Sequence, residues 1–292
     1  MPAIQLAPGL RRLTAPNPSP MTLHGTNSFL IGQSDLAVID PGPLSDAHLQ
    51  ALLAEVGPGQ RISHILVTHS HRDHSPLARV LSQATGAPVL AAGRSDWGRS
   101  AVMQALARAG LIGGGEGVED GFAPDRQLAD GEVISADGWQ ITALHTPGHM
   151  ANHLCFAWGD ALFSGDLVMG WSTSLISPPD GDLTAFRTSL KRLMTRSDRI
   201  YYPAHGDAVE DPQARLAELI THRAAREAQI LAALSKGPAT PHGLTARIYT
   251  DVPPALRPVA ERNVLAHLID LIERNIVISV GELAATGKFR LK

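Results

Sequence analysis

Residues 68–74 read T-H-S-H-R-D-H and follow directly on the β-branched run R-I-S-H-I-L-V-T (61–68). The run predicts a strand, so the three histidines and the aspartate sit on the loop at its end. Alternation on leaving a strand puts His69 and His71 on one side, where they can converge on one metal ion. Asp73 and His74 lie on the next turn and can face a second. Imidazole nitrogen and carboxylate oxygen suit zinc, with iron or manganese as alternatives. Four ligands cannot complete two coordination spheres, so more must come from downstream. H-T-P-G-H (145–149) offers His149 on a turn fixed by Pro147 and Gly148. F-S-G-D (163–166) offers Asp166, a carboxylate able to bridge two cations, and P-A-H-G (203–206) offers His205. Of 13 histidines, six (His69, His71, His74, His149, His153 and His205) fall in this ordered set, which composition alone does not produce.

Working outward, short strands and helices alternate. T-N-S-F-L-I-G (26–32) and L-A-V-I-D-P-G (36–42) read as a hairpin. Helices are predicted over 44–56 with Ser45 as N-cap, over 75–83 with Ser75 as cap, over 98–109 and over 183–194. Strands are predicted over 88–92, 132–135, 140–145, 153–157, 161–164 and 199–202, and the glycine cluster 113–117 as a loop. Residues 1–20 are proline-rich and are expected to lie extended along the body. Helices mixed with many hairpins favour two mixed sheets with helices outside them, an α/β sandwich, over a doubly wound sheet. Beyond residue 210 the pattern changes. A long helix over 211–235 connects to helices over 240–248 and 254–273 and a two-stranded wing (276–280, 288–291). The expected division is 1–210 catalytic, 211–235 connecting helix, and 236–292 a small winged-helix-like α+β module.

The ordered set H-x-H-x-D-H, H, D, H resembles that of the metallo-β-lactamase-fold hydrolases over residues 20–207. The resemblance implies an αββα sandwich with two metal ions at its edge. It assigns His69, His71 and His149 to one ion, Asp73, His74 and His205 to the other, and Asp166 to both. The stretch G-W-S-T-S-L-I-S-P-P-D-G-D (170–182), the opening T-N-S-F-L-I-G and the C-terminal module are similar to the β-lactamase-like protein 2 group. Mammalian members of that group are described as single-strand RNA endonucleases. Glyoxalase II shares the metal motif and the H-T-P-G-H turn but not the module. Zinc β-lactamases of the best-known class carry a cysteine at the second-metal position. Here Asp166 stands there, and Cys155, the one cysteine, lies inside a predicted strand, so antibiotic hydrolysis is not expected.

The expected chemistry is hydrolysis of an ester, thioester or phosphodiester by a metal-bridging hydroxide, with two divalent ions, zinc first, lowering the pKa of the water. Asp73 is the catalytic candidate, as second-metal ligand and orienter of the hydroxide. His153 is expected to touch substrate or cap its strand, and Trp171, Ser172 and Thr173 to line the pocket. Two other classes compete. A mononuclear iron dioxygenase acting on sulfur substrates would be expected to lose His74 or His205 as ligand. A non-catalytic nucleic-acid binder has no reason to keep seven ligands in order.

Composition narrows the partners. The chain has 292 residues, 44% hydrophobic and 18% charged, with net charge −3, which excludes disorder and a strongly basic nucleic-acid binder. Residues 236–292 hold 8 Lys+Arg against 5 Asp+Glu, but Arg247, Arg257, Arg262, Arg274, Lys288 and Arg290 are spread, and Tyr249 and Phe289 are the only aromatics there. The expected partners are a small ester or thioester or a single-stranded nucleic acid, together with a second copy of the chain, and no membrane. With a single cysteine and no apolar leader-like stretch, a cytoplasmic location is expected.

Overall fold

Side chains on the central strands sort by alternation. On one strand Phe29 and Ile31 point into a core between two sheets, while Leu30 points outward to helices. The computed structural model describes residues 3–115 and 117–292; Glu116, in the expected glycine loop, lies outside the described residues. The first sheet runs β1 (Ile4–Ala7), β2 (Leu10–Thr14), β3 (Asn27–Ile31), β4 (Asp35–Ile39), β5 (Arg61–Leu66), β6 (Val89–Ala91) and β7 (Arg126–Gln127) in spatial order. It is antiparallel to β4 and parallel from β4 on. The second sheet comprises β8 (Val133–Ala136), β9 (Trp139–His145), β10 (Leu154–Trp158), β11 (Ala161–Gly165) and β12 (Ile200–Pro203), in the order β12-β11-β10-β9-β8.

Phe29, Ile39, Leu66, Trp139, Ile141, Phe156, Phe163 and Tyr202 fill the space between the sheets. Helices α1 (Asp46–Ala54) and α2 (Leu77–Thr85) cover the outer face of the first sheet, packing Leu49, Leu52, Leu77 and Leu81 against Val38, Ile65 and Val67. Helix α3 (Ala101–Arg108) follows β6. The outer face of the second sheet is covered by α4 (Leu183–Met194) and the first part of α5 (Pro212–Leu234), through Phe186, Leu190, Leu193, Leu216 and Leu219. The expected αββα sandwich is what forms.

Beyond α5 come α6 (Pro241–Ile248), α7 (Arg257–Glu273) and the hairpin β13 (Val277–Val280) with β14 (Lys288–Leu291), a winged helix. Its core of Leu244, Val264, Leu268, Val277 and Phe289 also takes in Met103 and Leu106 of α3. No helix among the described residues is long and apolar enough to cross a membrane.

The N-terminal stretch is a correction. The residues described there do not simply lie along the body; they form β1 and β2, turning at Pro8-Gly9. Leu10 and Leu13 are buried on opposite faces, an alternation masked in the sequence by the prolines around it. The second correction is the cap of α2. Helical hydrogen bonding starts at Leu77, and the Ser75 hydroxyl instead donates to the His71 carbonyl.

Candidate metal centre

Every candidate ligand leaves the C-terminal end of a strand. Parallel pairing of β4 with β5 and of β11 with β12 aims those ends the same way. β9 runs in the direction of β11, because each is antiparallel to β10 between them. The two sheets are joined at this edge, where Asn27 N–H donates to the Ala204 carbonyl at 2.7 Å. The loop after β5 delivers His69, His71, Asp73 and His74, the turn after β9 His149, β11 Asp166 and β12 His205.

The structure brings all seven together, each buried, in two adjoining groups: His69, His71, His149 and Asp166, and Asp73, His74 and His205. His71 Nδ1 lies 3.0 Å from both His69 Nε2 and His149 Nε2. Asp166 Oδ2 is 3.5 Å from His149 Nε2 and 3.6 Å from His74 Nε2, and its Oδ1 is 3.3 Å from His205 Nε2, so this carboxylate faces both groups. Asp73 Oδ2 is 3.1 Å from His205 Nε2 and 3.3 Å from His74 Nε2. Nitrogens and oxygens about 2.05 Å from a tetrahedral cation lie roughly 3.3 Å apart, so the cluster has the spacing of a coordination shell. Both Asp73 oxygens, Asp166 Oδ1 and His74 Nε2 are buried without a hydrogen-bond partner. Buried carboxylates in that condition are held by cations.

The outer contacts set the tautomers. His149 Nδ1–H donates to the Leu175 carbonyl at 2.8 Å and His205 Nδ1–H to the Gly25 carbonyl at 3.2 Å. His74 Nδ1–H donates to Asp40 Oδ2 at 3.0 Å. Thr68 gives its hydroxyl proton to Asp40 Oδ2 at 2.7 Å, so its oxygen is left to accept from His69 Nδ1 at 3.0 Å. In all four rings Nε2 is thereby left for a metal.

Electrostatics divides the groups. Burial, reinforced by neighbouring imidazoles, holds His69 well below the ordinary histidine range, pushes His71 to about 3 and lowers His149. All three are shifted toward the neutral form that a metal ligand needs. At His74 burial is outweighed by Asp73, Asp166 and Asp40, which hold it well above the ordinary value. Burial is likewise outweighed at His205, which Asp166 and Asp73 raise to about 10. Burial opposes ionisation of Asp73 and Asp166, yet His74 and His205 hold both well below the usual carboxylate range. A divalent cation on these atoms would displace protons from two imidazoles.

Of the expected substrate residues, Trp171, Ser172 and Thr173 line a cavity of about 180 Å³ that opens onto His71, Asp73, His149, Asp166 and His205. His153 does not. It is wholly buried, its ring 5.2 Å from that of His69; Nδ1 lies 3.1 Å from Thr146 Oγ1, and Nε2 accepts from Asp166 N–H at 3.3 Å. Of its two expected roles the substrate contact is not found; His153 stands immediately before β10 and supports the centre from below, through the backbone of Asp166. Gly165 leaves room for it, since a Cβ there would lie 2.5 Å from His153 Nε2. Two features were missed in the sequence. Asp40, in D-P-G after β4, accepts from Thr68 N–H and Oγ1–H and from His74. The far wall of the cavity comes from the C-terminal module: Tyr249, Val252, Leu256, Val259, Ala260 and Asn263.

Comparison with known proteins follows the same lines. The profile of the metallo-beta-lactamase superfamily matches residues 21–205, and that of the beta-lactamase associated winged helix domain residues 240–287. "Lactamase-like protein adaB" of Aspergillus niger is 32% identical over 80% of this chain, and the chain spans 66% of that protein's length. "Atrochrysone carboxyl ACP thioesterase" of Aspergillus chevalieri is 32% identical over 80% of this chain and 68% of its own. "Beta-lactamase-like protein 2 homolog" of Drosophila melanogaster is 29% identical over 93% and 90% of the two chains. A crystal structure of a metallo-beta-lactamase family protein from Thermus thermophilus superposes with a TM-score of 0.79 at 26% identity, covering 99% of this chain and 100% of that one. Another crystal structure, of a protein in a di-iron-bound form, has a TM-score of 0.50 at 28% identity, covering 68% of this chain and 93% of that one.

Proposed function

The chain belongs to the metallo-beta-lactamase superfamily, and from that membership and the wall of its cavity we propose a two-cation hydrolase of thioesters or esters with an apolar acyl group. The observation that carries the substrate class is the lining. Val252, Leu256, Val259 and Ala260 from the C-terminal module line the cavity together with Met21, Met169, Trp171 and Leu175. Among the described residues no lysine or arginine lines it. A single-stranded nucleic acid needs cations along its backbone, and the lining, although Trp171 and Tyr249 belong to it, offers aliphatic surface for hydrocarbon instead. The thioesterase name of the Aspergillus chevalieri relative supports the same substrate class.

The first cation would be held by His69, His71 and His149, the second by Asp73, His74 and His205, with Asp166 on both. Bound there, two divalent cations supply Lewis acidity and bring a water near neutral pKa. The protein supplies the rest. Neither Asp73 oxygen has a hydrogen-bond partner; Oδ2 faces His74 and His205, which leaves Oδ1 to take a proton from the attacking water. Addition of that water to the acyl carbon and cleavage of the C–S bond release a carboxylic acid and a thiol, to whose sulfur the proton returns. The apolar wall orients the acyl chain and excludes competing water.

A panel of hexanoyl-N-acetylcysteamine, a simple lactone and a single-stranded RNA tests this reading. Chelator-sensitive hydrolysis of the thioester is expected. Cleavage of RNA with no thioester or lactone turnover would overturn it.

A further inference from the structure

Asn263, on α7, is the one residue of the cavity's C-terminal wall whose amide is fixed from behind. Its Oδ1 accepts from Ile176 N–H at 3.1 Å and from Arg223 Nη1–H at 3.0 Å. Both partners are pure donors, so the atom facing them must be the oxygen. Nδ2 is forced to the other side. Its only partner among the described residues is the Val259 carbonyl at 3.5 Å, the outer limit of a hydrogen bond, and Val259 and Asn263 both line the cavity.

The group that fixes it is unusual. Arg223 is 2% exposed and, among the described residues, has no carboxylate partner. Its guanidinium donates to Asn263 and to the Ser174 carbonyl and lies 5.2 Å from the centre of the Phe186 ring, while Nε has no partner. A buried unpaired cation is costly and is kept where it holds something in place. What it holds is the strip 174–176. Ser174 Oγ–H is within reach of the Asp166 carbonyl at 2.6 Å, the Leu175 carbonyl takes the Nδ1–H of His149, and Ile176 N–H meets Asn263.

We propose that Asn263 is a specificity-determining donor, its Nδ2–H presented to an oxygen within the acyl chain, so that the substrates are acyl thioesters or esters whose chain carries a keto or hydroxyl group. Arg223 is the positioning residue that holds the donor in register with the metal centre. The inference rests on the reading of an acyl hydrolase above. The surrounding wall of Val252, Leu256, Val259 and Ala260 suits the hydrocarbon part of the chain, and a fixed donor within it favours the chain that can satisfy it.

The test compares the N-acetylcysteamine thioesters of hexanoate, 3-oxohexanoate and 5-oxohexanoate on the metal-loaded wild type and on Asn263→Asp and Asn263→Ala. The aspartate keeps an acceptor toward Ile176 and Arg223 but has no N–H. Wild type is expected to favour one keto acyl chain by about tenfold or more in kcat/KM, and the ratio to fall to about one in both variants. Calorimetric binding of the matching non-hydrolysable thioethers should show the same wild-type preference, carried by affinity. An absence of preference in the wild type, or a preference surviving in either variant, overturns the inference and leaves the acyl hydrolase standing. Failure of the wild type to hydrolyse any of the three overturns both.

Discussion

Asp40 never faces the cavity, yet three donors converge on it: the amide and hydroxyl of Thr68 and Nδ1–H of His74. Removing it in Asp40→Ala strands buried donors, which costs on the order of 3–5 kcal/mol. It also frees His74 to turn, with a loss of about 10–100-fold in metal affinity. Equilibrium unfolding and a metal-competition titration would check the two separately. His71→Ala differs, because among the described residues its ring's hydrogen-bond and ring partners are His69 and His149 of the same cluster. Turnover should fall by about a thousandfold or more while the thermal midpoint of the metal-free protein stays within a few degrees. Cys155 provides a contrast. Burial pushes its thiol up to about 12, so the folded protein should give no reaction with a thiol reagent, and one thiol should appear on denaturation. At this scale the sequence was readable where residue type is chemistry: the histidines and aspartates of H-x-H-x-D-H announce themselves by spacing. Asp40 did not, since D-P-G after a strand reads as a turn, and its φ of +49° and the aim of its carboxylate depend on β5 lying parallel beside β4. His153 was left between the substrate and its strand end for a related reason. Its position in the order was visible, but which side of the metal loop it would occupy was not.

Elements place these residues by where strands stop. β4, β5, β9, β11 and β12 all end at one edge, and the turns beyond them are short enough that the direction of a strand fixes its ligand. The H-T-P-G-H turn shows how tight the fit is. A Cβ on Gly148 would lie 2.4 Å from Cα and 2.7 Å from the backbone nitrogen of Phe186 on α4. Backbone cannot step aside as a side chain can, so Gly148→Ala should move α4 against the second sheet and turn His149 away from Leu175. A stability loss of about 1–3 kcal/mol, seen in chemical denaturation, and weakened metal binding are expected together. The helices and most strands were legible from periodicity and caps; α4 matches its expected span at both ends. β1 and β2 were not, because prolines at 8, 16, 18 and 20 dominate the composition there while the alternation that makes the strands spans only a few residues. β7, two residues long, has no periodicity to read.

For the whole molecule, the sandwich supplies the ligands and the winged helix closes the cavity over them. The sequence showed both parts but not which face of one meets the other, because Val252, Leu256, Val259 and Asn263 read simply as part of a helical module until its docking is known. The charge of the centre gives the molecule a pH signature. In the metal-free protein His205 is raised to about 10 from an unfolded value near 6.5, so the stability it contributes is full below about 6.5 and is lost as pH rises toward 10. Chelator-treated protein should therefore melt at falling temperature from pH 7 to pH 10. Reloading with metal should displace those protons, raising metal affinity as pH rises from 6 to 8. Scanning calorimetry with and without metal checks both. The central claim is that seven side chains from two sheets hold a pair of cations for hydrolysis, and metal stoichiometry on the purified, metal-replete protein tests it most directly. The account predicts two divalent ions per chain, with thioester hydrolysis lost on chelation and restored on their return. One iron or less per chain, with hydrolysis indifferent to chelator, would contradict it.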